Sequence, residues 1–242
     1  MDFSLPKELE ELRGRVNAFV GDVIMPVEAD QVNFDEHENI GEAPLQALRT
    51  KAKAAGLWAP QMPQSRGGLG LNTVGMATFY EEAARSRFGP VVFNCAAPDD
   101  GNMILLDRVA REDQKDRWLQ PIIDGDIRSS IVMTEPAPGS GSDPTMMLTR
   151  AERSGNDKWV ISGRKWFITG AEGAEHFILL ARTSDDKRGA LTTFLFHKDQ
   201  PGWHIVRRIP IMGPEEHGGH CEVVFDGLEI DDENRLMEVG DG

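Results

Sequence analysis

The sequence predicts an α+β protein, with an N-terminal all-α helical domain followed by an antiparallel β-barrel or sandwich domain. Three observations carry that prediction. Apolar residues in the first half recur at helical spacing. After about residue 128 the chain breaks into short alternating segments, and clusters of turn residues separate them. With 242 residues, 40 % of them hydrophobic, the chain is long enough to bury one large core or two small ones.

The helices come first. Leu5, Leu9, Leu12, Val16, Phe19 and Val20 fall at spacings of four, three, four, three and one, which marks one helix face. Ser4 is positioned as its N-cap, with Pro6 in the first turn. Residues 44 to 55 repeat the pattern, with Pro44 early and Gly56 just past the end. A third helix is expected from Thr73 to Arg85, with Val74, Ala77, Tyr80 and Ala84 facing inward. A fourth surrounds Met103, Leu106 and Val109, and a fifth covers about 112 to 123 and stops at Asp124-Gly125. WAPQMPQSRGGLGLN forms a Pro/Gly loop between the second and third.

The strands follow: KWVISG, KWFITG, HFILLART, ALTTFLFHK, WHIVRRI and CEVVFDGLEI. Turn signals between them are Ser154-Gly155-Asn156-Asp157, Gly163, Gly170, Asp185-Asp186-Lys187 and Pro201-Gly202. No internal repeat or low-complexity tract is visible.

Composition excludes several classes. A net charge of -14 argues against nucleic acid, whose phosphates need a basic face. Two distant cysteines, Cys95 and Cys221, give no disulfide framework, and a reducing, cytoplasmic setting is the expectation. The acidic start has no apolar signal region, and no stretch approaches the roughly 18 apolar residues of a membrane span.

Three constellations could carry chemistry. MTEPAPGSGSD, residues 133 to 143, follows the apolar segment SSIVM. Gly139 and Gly141 can adopt left-handed backbone angles, which lets successive N–H groups converge into an anion-binding concavity. Thr134, Ser140 and Ser142 add hydroxyls; a flexible connector is the equal alternative. KWFITGA, residues 165 to 171, places Lys165, Phe167 and Thr169 on one strand face and Trp166 and Ile168 on the other. An aromatic two residues before a hydroxyl could stack on a planar ring and bond its edge, or simply belong to a core strand. HGGHC, residues 217 to 221, offers two histidines and a cysteine, but at poor metal spacing; a structural or substrate-lining loop is favoured, and no metal is expected. His37 and His176 have no visible acid–base partner, and no Walker loop, nucleophile elbow or dinucleotide fingerprint occurs.

Taken in order, these segments resemble the acyl-CoA dehydrogenase family over the whole chain. PQSRGGLGLN is similar to its Pro-x-x-x-Gly-Gly-x-Gly loop, REDQKDRWLQPIIDGDI to its "Gln-Lys…Trp-Leu…Gly" helix, and MTEP…SD to its flavin loop. GRKWFITGA resembles the second flavin strand, and IDDENRLMEVGDG the segment leading out of the β domain. APDDGNM and the HGGH loop resemble a branch acting on longer or unusual acyl chains. The resemblance implies a helical domain at 1–127, a flavin- and acyl-CoA-binding β domain at 128–233, and at 234–242 the start of a linker to a C-terminal helical domain.

It further implies FAD as cofactor and FAD-dependent α,β-desaturation of an acyl-CoA thioester. The implied cofactor residues are Ile131, Met133, Thr134, Gly139, Ser140, Ser142, Phe167, Ile168 and Thr169. Among them Thr134 and its backbone neighbours meet the flavin ring, Phe167 takes the place of a stacked tryptophan, and Thr169 bonds flavin N5. Ser142, before Asp143, matches the family serine that contacts the FAD pyrophosphate or the acyl-CoA, so it is also the implied substrate contact. The spacer between Thr-Glu-Pro and Ser-Asp has five residues here instead of three, which leaves Ser140 open for that role as well. Phe167 keeps the stacking but lacks the indole N–H.

The family's glutamate base lies in the C-terminal domain, which also helps form the partner subunit's adenine site and the oligomer contact. The expectation is therefore that residues 1–242 carry the flavin-binding part without a catalytic residue of their own, and are inactive alone. Glu135 is read as the structural glutamate of its motif. Expected partners are acyl-CoA, an electron-transfer flavoprotein or similar acceptor, and further copies of the full-length chain. An acyl-CoA oxidase or flavin monooxygenase, and a non-catalytic flavin- or acyl-binding paralogue, are the alternative readings.

Overall fold

A computed structural model describes residues 4–155, 157–186, 190–212 and 217–242. Asn156 and Lys187, both expected in turns, lie outside the described residues. The chain divides into two compact units, residues 1–100 and 101–242.

The first unit is helical. Helix α1 (Lys7–Phe19) continues through a π turn (Val20–Ile24) into α2 (Met25–Glu28). Leu12, Val16, Val20 and Ile24 are its buried stripe. A strict spacing of four drifts around an α-helix, and the wider π turn brings Ile24 back to the buried side. The cap differs from expectation. Pro6, not Ser4, is the N-cap, and its carbonyl accepts the N–H groups of Leu9 and Glu10 at 3.0 and 3.0 Å without any side-chain cap.

Helices α3 (Glu42–Ala54), α4 (Thr73–Ala83) and α5 (Gly89–Val92) complete the unit. The inward face of α4 is one residue off the expectation: Gly75, Thr78, Phe79 and Ala83 are buried, whereas Val74, Ala77 and Ala84 are exposed. Val74, Gly75, Ala77 and Ala83 are small and spread around this helix, so they mark no single face, and the bulky Phe79 ring lies on the buried one. Phe79 packs edge-on against Phe93 at 5.0 Å, and the Thr78 hydroxyl becomes buriable by donating to the Val74 carbonyl at 2.9 Å.

The boundary between the units falls within α6 (Asp99–Val109). Next come α7 (Glu112–Gln114), a π turn (Lys115–Leu119) and α8 (Gln120–Asp124), which stops at Gly125. Among the described residues no helix is long and apolar enough to cross a membrane.

Among the described residues, eight strands then form one sheet: β1 (Ser129–Val132), β2 (Arg150–Ser154), β3 (Lys158–Thr169), β4 (His176–Arg182), β5 (Leu191–His197), β6 (Trp203–Arg208), β7 (His220–Asp231) and β8 (Arg235–Leu236). Their order is β6-β7-β3-β2-β4-β5-β8, with β1 on β4. The expected antiparallel barrel or sandwich is therefore corrected to an open, mixed sheet: β1 and β2 both run parallel to β4. Alternation of apolar residues reveals a half-buried strand but not its direction, and the β2–β3 hairpin intervenes between β1 and β4. KWVISG and KWFITG, read as two strands, are one, with Gly163 inside β3 rather than in a turn.

One face of the sheet carries the core, where Trp159, Ile161, Ile168, Phe177, Phe194, Phe196, Val223, Phe225 and Ile230 pack together. Phe177 stacks on Phe196 at 4.7 Å across the antiparallel β4–β5 pair.

Candidate functional site

The loop of residues 133–143 and the end of β3 are tied together by hydrogen bonds. The Thr134 hydroxyl donates to the Trp166 carbonyl at 2.5 Å, and the Trp166 N–H returns a bond to the Thr134 carbonyl at 3.0 Å. One turn earlier, the Ser130 hydroxyl donates to the Thr169 carbonyl at 2.7 Å. These bonds bring Thr134, Phe167 and Thr169 to one edge, together with Ile131, which is exposed on β1.

Phe167 reaches that edge through a β-bulge. Between Lys165 and Ile168 the register with β7 shifts, so three steps on β3 match two on β7, from Val223 to Cys221. Phe167 adopts φ +51 and is 43 % exposed. The extra residue overturns the expected faces: Lys165 and Ile168 both point inward, while Phe167 points outward. Bulges of this kind re-aim side chains beside functional sites.

The glycine-rich loop wraps a carboxylate of its own. Glu135 is 2 % exposed, and its Oε2 accepts the N–H groups of Leu148 (2.8 Å) and Ser140 (3.3 Å), while Oε1 accepts that of Thr149 (2.8 Å). The buried Lys165 ammonium lies 3.1 Å from Oε1 and donates to the Met133 carbonyl at 2.8 Å. Burial alone would raise the Glu135 carboxyl, but the bonds from Thr149 and Leu148 and the Lys165 charge hold it below the usual carboxylate range. Burial lowers Lys165 to about 8, and Glu135 offsets only part of that fall.

The expected anion concavity is thus filled from within. The Gly139 and Gly141 N–H groups bond the Pro136 and Glu135 carbonyls, and that of Ser140 bonds the Glu135 carboxylate. Gly141 has the expected left-handed φ of +55, but Gly139 is needed for space: a Cβ there would stand 2.4 Å from Glu135 Oε2. The two serines differ in the same way. Ser140 is buried, with its hydroxyl on the Gly141 carbonyl at 3.1 Å, whereas Ser142 is exposed and makes no hydrogen bond among the described residues. Met133 is half-buried with its carbonyl held by Lys165, and Ile168 sits in the core with only its backbone available to a ligand.

Sequence reasoning missed two further groups. Lys165 was placed with Phe167 and Thr169; counting by twos from the core residues Trp159 and Ile161 would have turned it inward, toward a buried acid. Glu222 is buried between Arg207 (2.7 Å) and Arg164, and hydrogen bonding from Arg207, helped by Arg164, holds its carboxyl low. These guanidiniums edge a cleft of about 420 Å³ walled by Pro136, Pro138 and Trp166. Among the described residues no cluster suits a metal ion.

The helical first unit and the mixed sheet after it match two known domains, in the same order. Residues 6–126 match the acyl-CoA dehydrogenase N-terminal domain and residues 130–228 the acyl-CoA dehydrogenase middle domain. The chain belongs to the acyl-CoA dehydrogenase family.

It is 35 % identical to the Mycobacterium tuberculosis protein named probable acyl-CoA dehydrogenase FadE2, covering 100 % of this chain and 60 % of the relative. It is 30 % identical to (R)-benzylsuccinyl-CoA dehydrogenase of Thauera aromatica, over 100 % of this chain and 60 % of that one. A solved acyl-CoA dehydrogenase-family structure from Mycobacterium abscessus superposes with a TM-score of 0.89 at 35 % identity, over 99 % of this chain and 62 % of the other. The FAD complex of PigA shares the fold, with a TM-score of 0.81 at 24 % identity over 100 % and 61 %. The chain therefore spans about three fifths of the length of these relatives.

Proposed function

We propose that residues 1–242 form the flavin-holding part of an FAD-dependent acyl-CoA dehydrogenase that desaturates an acyl-CoA thioester between Cα and Cβ. The observation that supports this best is the edge shared by Ile131, Thr134, Phe167 and Thr169, held from behind by the buried Glu135–Lys165 pair.

The residues suit the cofactor. Phe167 offers an exposed aromatic face for a planar ring, and Ile131 an apolar one. Thr134 has its hydroxyl proton engaged on the Trp166 carbonyl, so its oxygen accepts from a ring N–H. Thr169 presents a hydroxyl whose other partner is His220. Met133 and Ile168 adjoin Thr134 and Phe167 in sequence and would offer backbone groups, and the exposed Ser142 would meet the diphosphate or the thioester's CoA portion. Bound flavin supplies the hydride acceptor, N5. The chain's part is to fix the ring's edge on rigid strands, which sets the approach of the reacting carbon.

Glu135 does not serve as the base for the α-proton. Its two oxygens already accept three N–H groups and the Lys165 ammonium, and its carboxyl is held low, which makes it a weak base. The base of the reaction is assigned to a glutamate outside these residues, and the full-length form is expected to assemble with further copies and to pass electrons to an electron-transfer flavoprotein or similar acceptor.

Titration of FAD with the purified chain, followed by flavin fluorescence, tests the reading. Saturable quenching is expected; unchanged fluorescence at high protein concentration would remove the cofactor assignment.

A further inference from the structure

We propose that His220 is a positioning residue that sets the direction of the Thr169 hydroxyl through its Nδ1, so that one hydroxyl serves flavin N5 both as donor and as acceptor. The inference rests on the cofactor reading above.

The motif HGGHC has no other role in that reading, and the structure gives it one. Thr169 and His220 are cross-strand neighbours in the β3–β7 ladder, and Thr169 Oγ1 lies 3.0 Å from His220 Nδ1. The pair is held from both sides. On β3, the Ser130 hydroxyl fixes the Thr169 carbonyl at 2.7 Å. On β7, the Ile209 N–H fixes the His220 carbonyl at 2.7 Å.

The turn before His220 docks on the turn after Thr169. The Gly170 N–H donates to the Gly219 carbonyl at 2.7 Å, and the Glu172 N–H to the Gly218 carbonyl at 3.1 Å. Gly218 has φ +84, and a Cβ there would stand 2.7 Å from the Gly170 carbonyl oxygen. The two glycines of the motif therefore let two turns close on each other, and that closure aims the second histidine at Thr169.

The consequence follows from tautomers. A neutral imidazole carries one donor nitrogen and one acceptor nitrogen, and its other hydrogen bonds fix which is which. His220 makes no side-chain hydrogen bond other than that to Thr169 among the described residues, so no second partner fixes its tautomer. With the proton on Nδ1, the ring donates to Thr169 Oγ1 and the hydroxyl proton is free to donate outward. With Nδ1 bare, the hydroxyl donates to the ring and its oxygen accepts from outside. Oxidised flavin presents N5 as an acceptor, and two-electron-reduced flavin presents N5–H as a donor. The His220–Thr169 pair can satisfy both, by reversing one hydrogen bond without moving a heavy atom.

The test compares His220→Asn, His220→Gln and His220→Leu in the full chain. Asn places an amide atom where Nδ1 stands; Gln places it one bond further; Leu offers none. FAD affinity and the visible flavin spectrum are measured in oxidised and dithionite-reduced samples. Loss of one hydrogen bond corresponds to about a 2- to 10-fold loss of affinity. The expected result is that loss for Leu and Gln in both redox states, with the spectrum altered, and rescue to near the parent by Asn. Parental affinity and spectrum for Leu, or equal loss for Asn and Leu, would overturn the proposal.

A second arm needs no flavin. Imidazole ¹⁵N shifts of His220 in the FAD-free chain are expected to change on Thr169→Val, with Nδ1 most affected. Unchanged shifts would overturn the pairing itself. If FAD fails to bind the parent chain while the shifts respond, the cofactor reading is the one that fails.

Discussion

Replacing Glu135 with Gln disturbs the site where its design is most exposed to failure. The side chain keeps its shape but loses its charge, and one of its two acceptor oxygens becomes an NH₂ group. Four donors now converge on the carboxylate: the N–H groups of Leu148, Thr149 and Ser140 and the Lys165 ammonium. Lys165 is fully buried, so Gln leaves a cation without its counter-charge. Breaking a buried pair by removing one partner costs about 3–5 kcal/mol, and a buried N–H facing an NH₂ group adds about 1–3 kcal/mol.

Deprotonation of Lys165 limits the total. Its burial already lowers it to about 8 with Glu135 present, and releasing a proton of ordinary affinity at pH 7 costs about 5 kcal/mol. The net expectation is a loss of about 4–8 kcal/mol, read as a lower urea midpoint at unchanged m-value. Glu135→Gln combined with Lys165→Met should be more stable than Glu135→Gln alone, because the stranded ammonium is gone. A loss under about 1 kcal/mol, or simple additivity of the two changes, would refute the buried-pair argument.

Other outcomes follow from the same geometry. His176 packs against Trp118, with ring centroids 4.7 Å apart and Nδ1 3.1 Å from the Trp118 carbonyl; burial lowers it to about 4. The unfolded chain therefore binds more protons between about 6.5 and 4, so stability rises with pH across that window; acidification from pH 7 to 5 should cost about 2 kcal/mol that His176→Leu abolishes, as urea melts at the two pH values will show. Glu135, whose carboxyl is depressed, has the acid limb: its contribution is complete above the usual carboxylate range and is lost as pH falls through its lowered value. Gly139→Ala should destabilise by about 1–3 kcal/mol, because the new Cβ meets the Glu135 carboxylate; an unchanged melting midpoint would show that the loop gives way. Thr169→Val should weaken FAD about 2- to 10-fold and alter its visible spectrum. Residues 1–242, saturated with FAD, should give no acyl-CoA-dependent dye reduction; turnover that Glu135→Gln abolishes would restore that glutamate as a base.

Much of this was legible in the sequence, for identifiable reasons. Helical spacing located α1, α3 and α6, because a stripe of large apolar residues admits one inward face. In α4 the period was ambiguous, since small residues are spread around the helix and Phe79, not its neighbour Tyr80, takes the buried face. Strand existence was readable from alternation, but strand direction was not: the parallel β1–β4 pairing is a long-range contact that leaves no local mark. The bulge at Phe167 was equally hidden, and with it the outward turn of that ring away from the face of Lys165. Resemblance singled out the loop and strand of the candidate site, whereas the occupant of the loop's own concavity, Glu135, became visible only once distances were known.

A flavin ring is expected to lie along the edge formed by β1 and the bulged end of β3. Backbone amide NMR of the isotope-labelled chain, titrated with FAD, locates the ring directly. The largest shifts are expected at Ile131, Met133, Thr134, Phe167, Ile168 and Thr169, with smaller ones at Ser142. Binding that shifts other amides and leaves those six in place would contradict it.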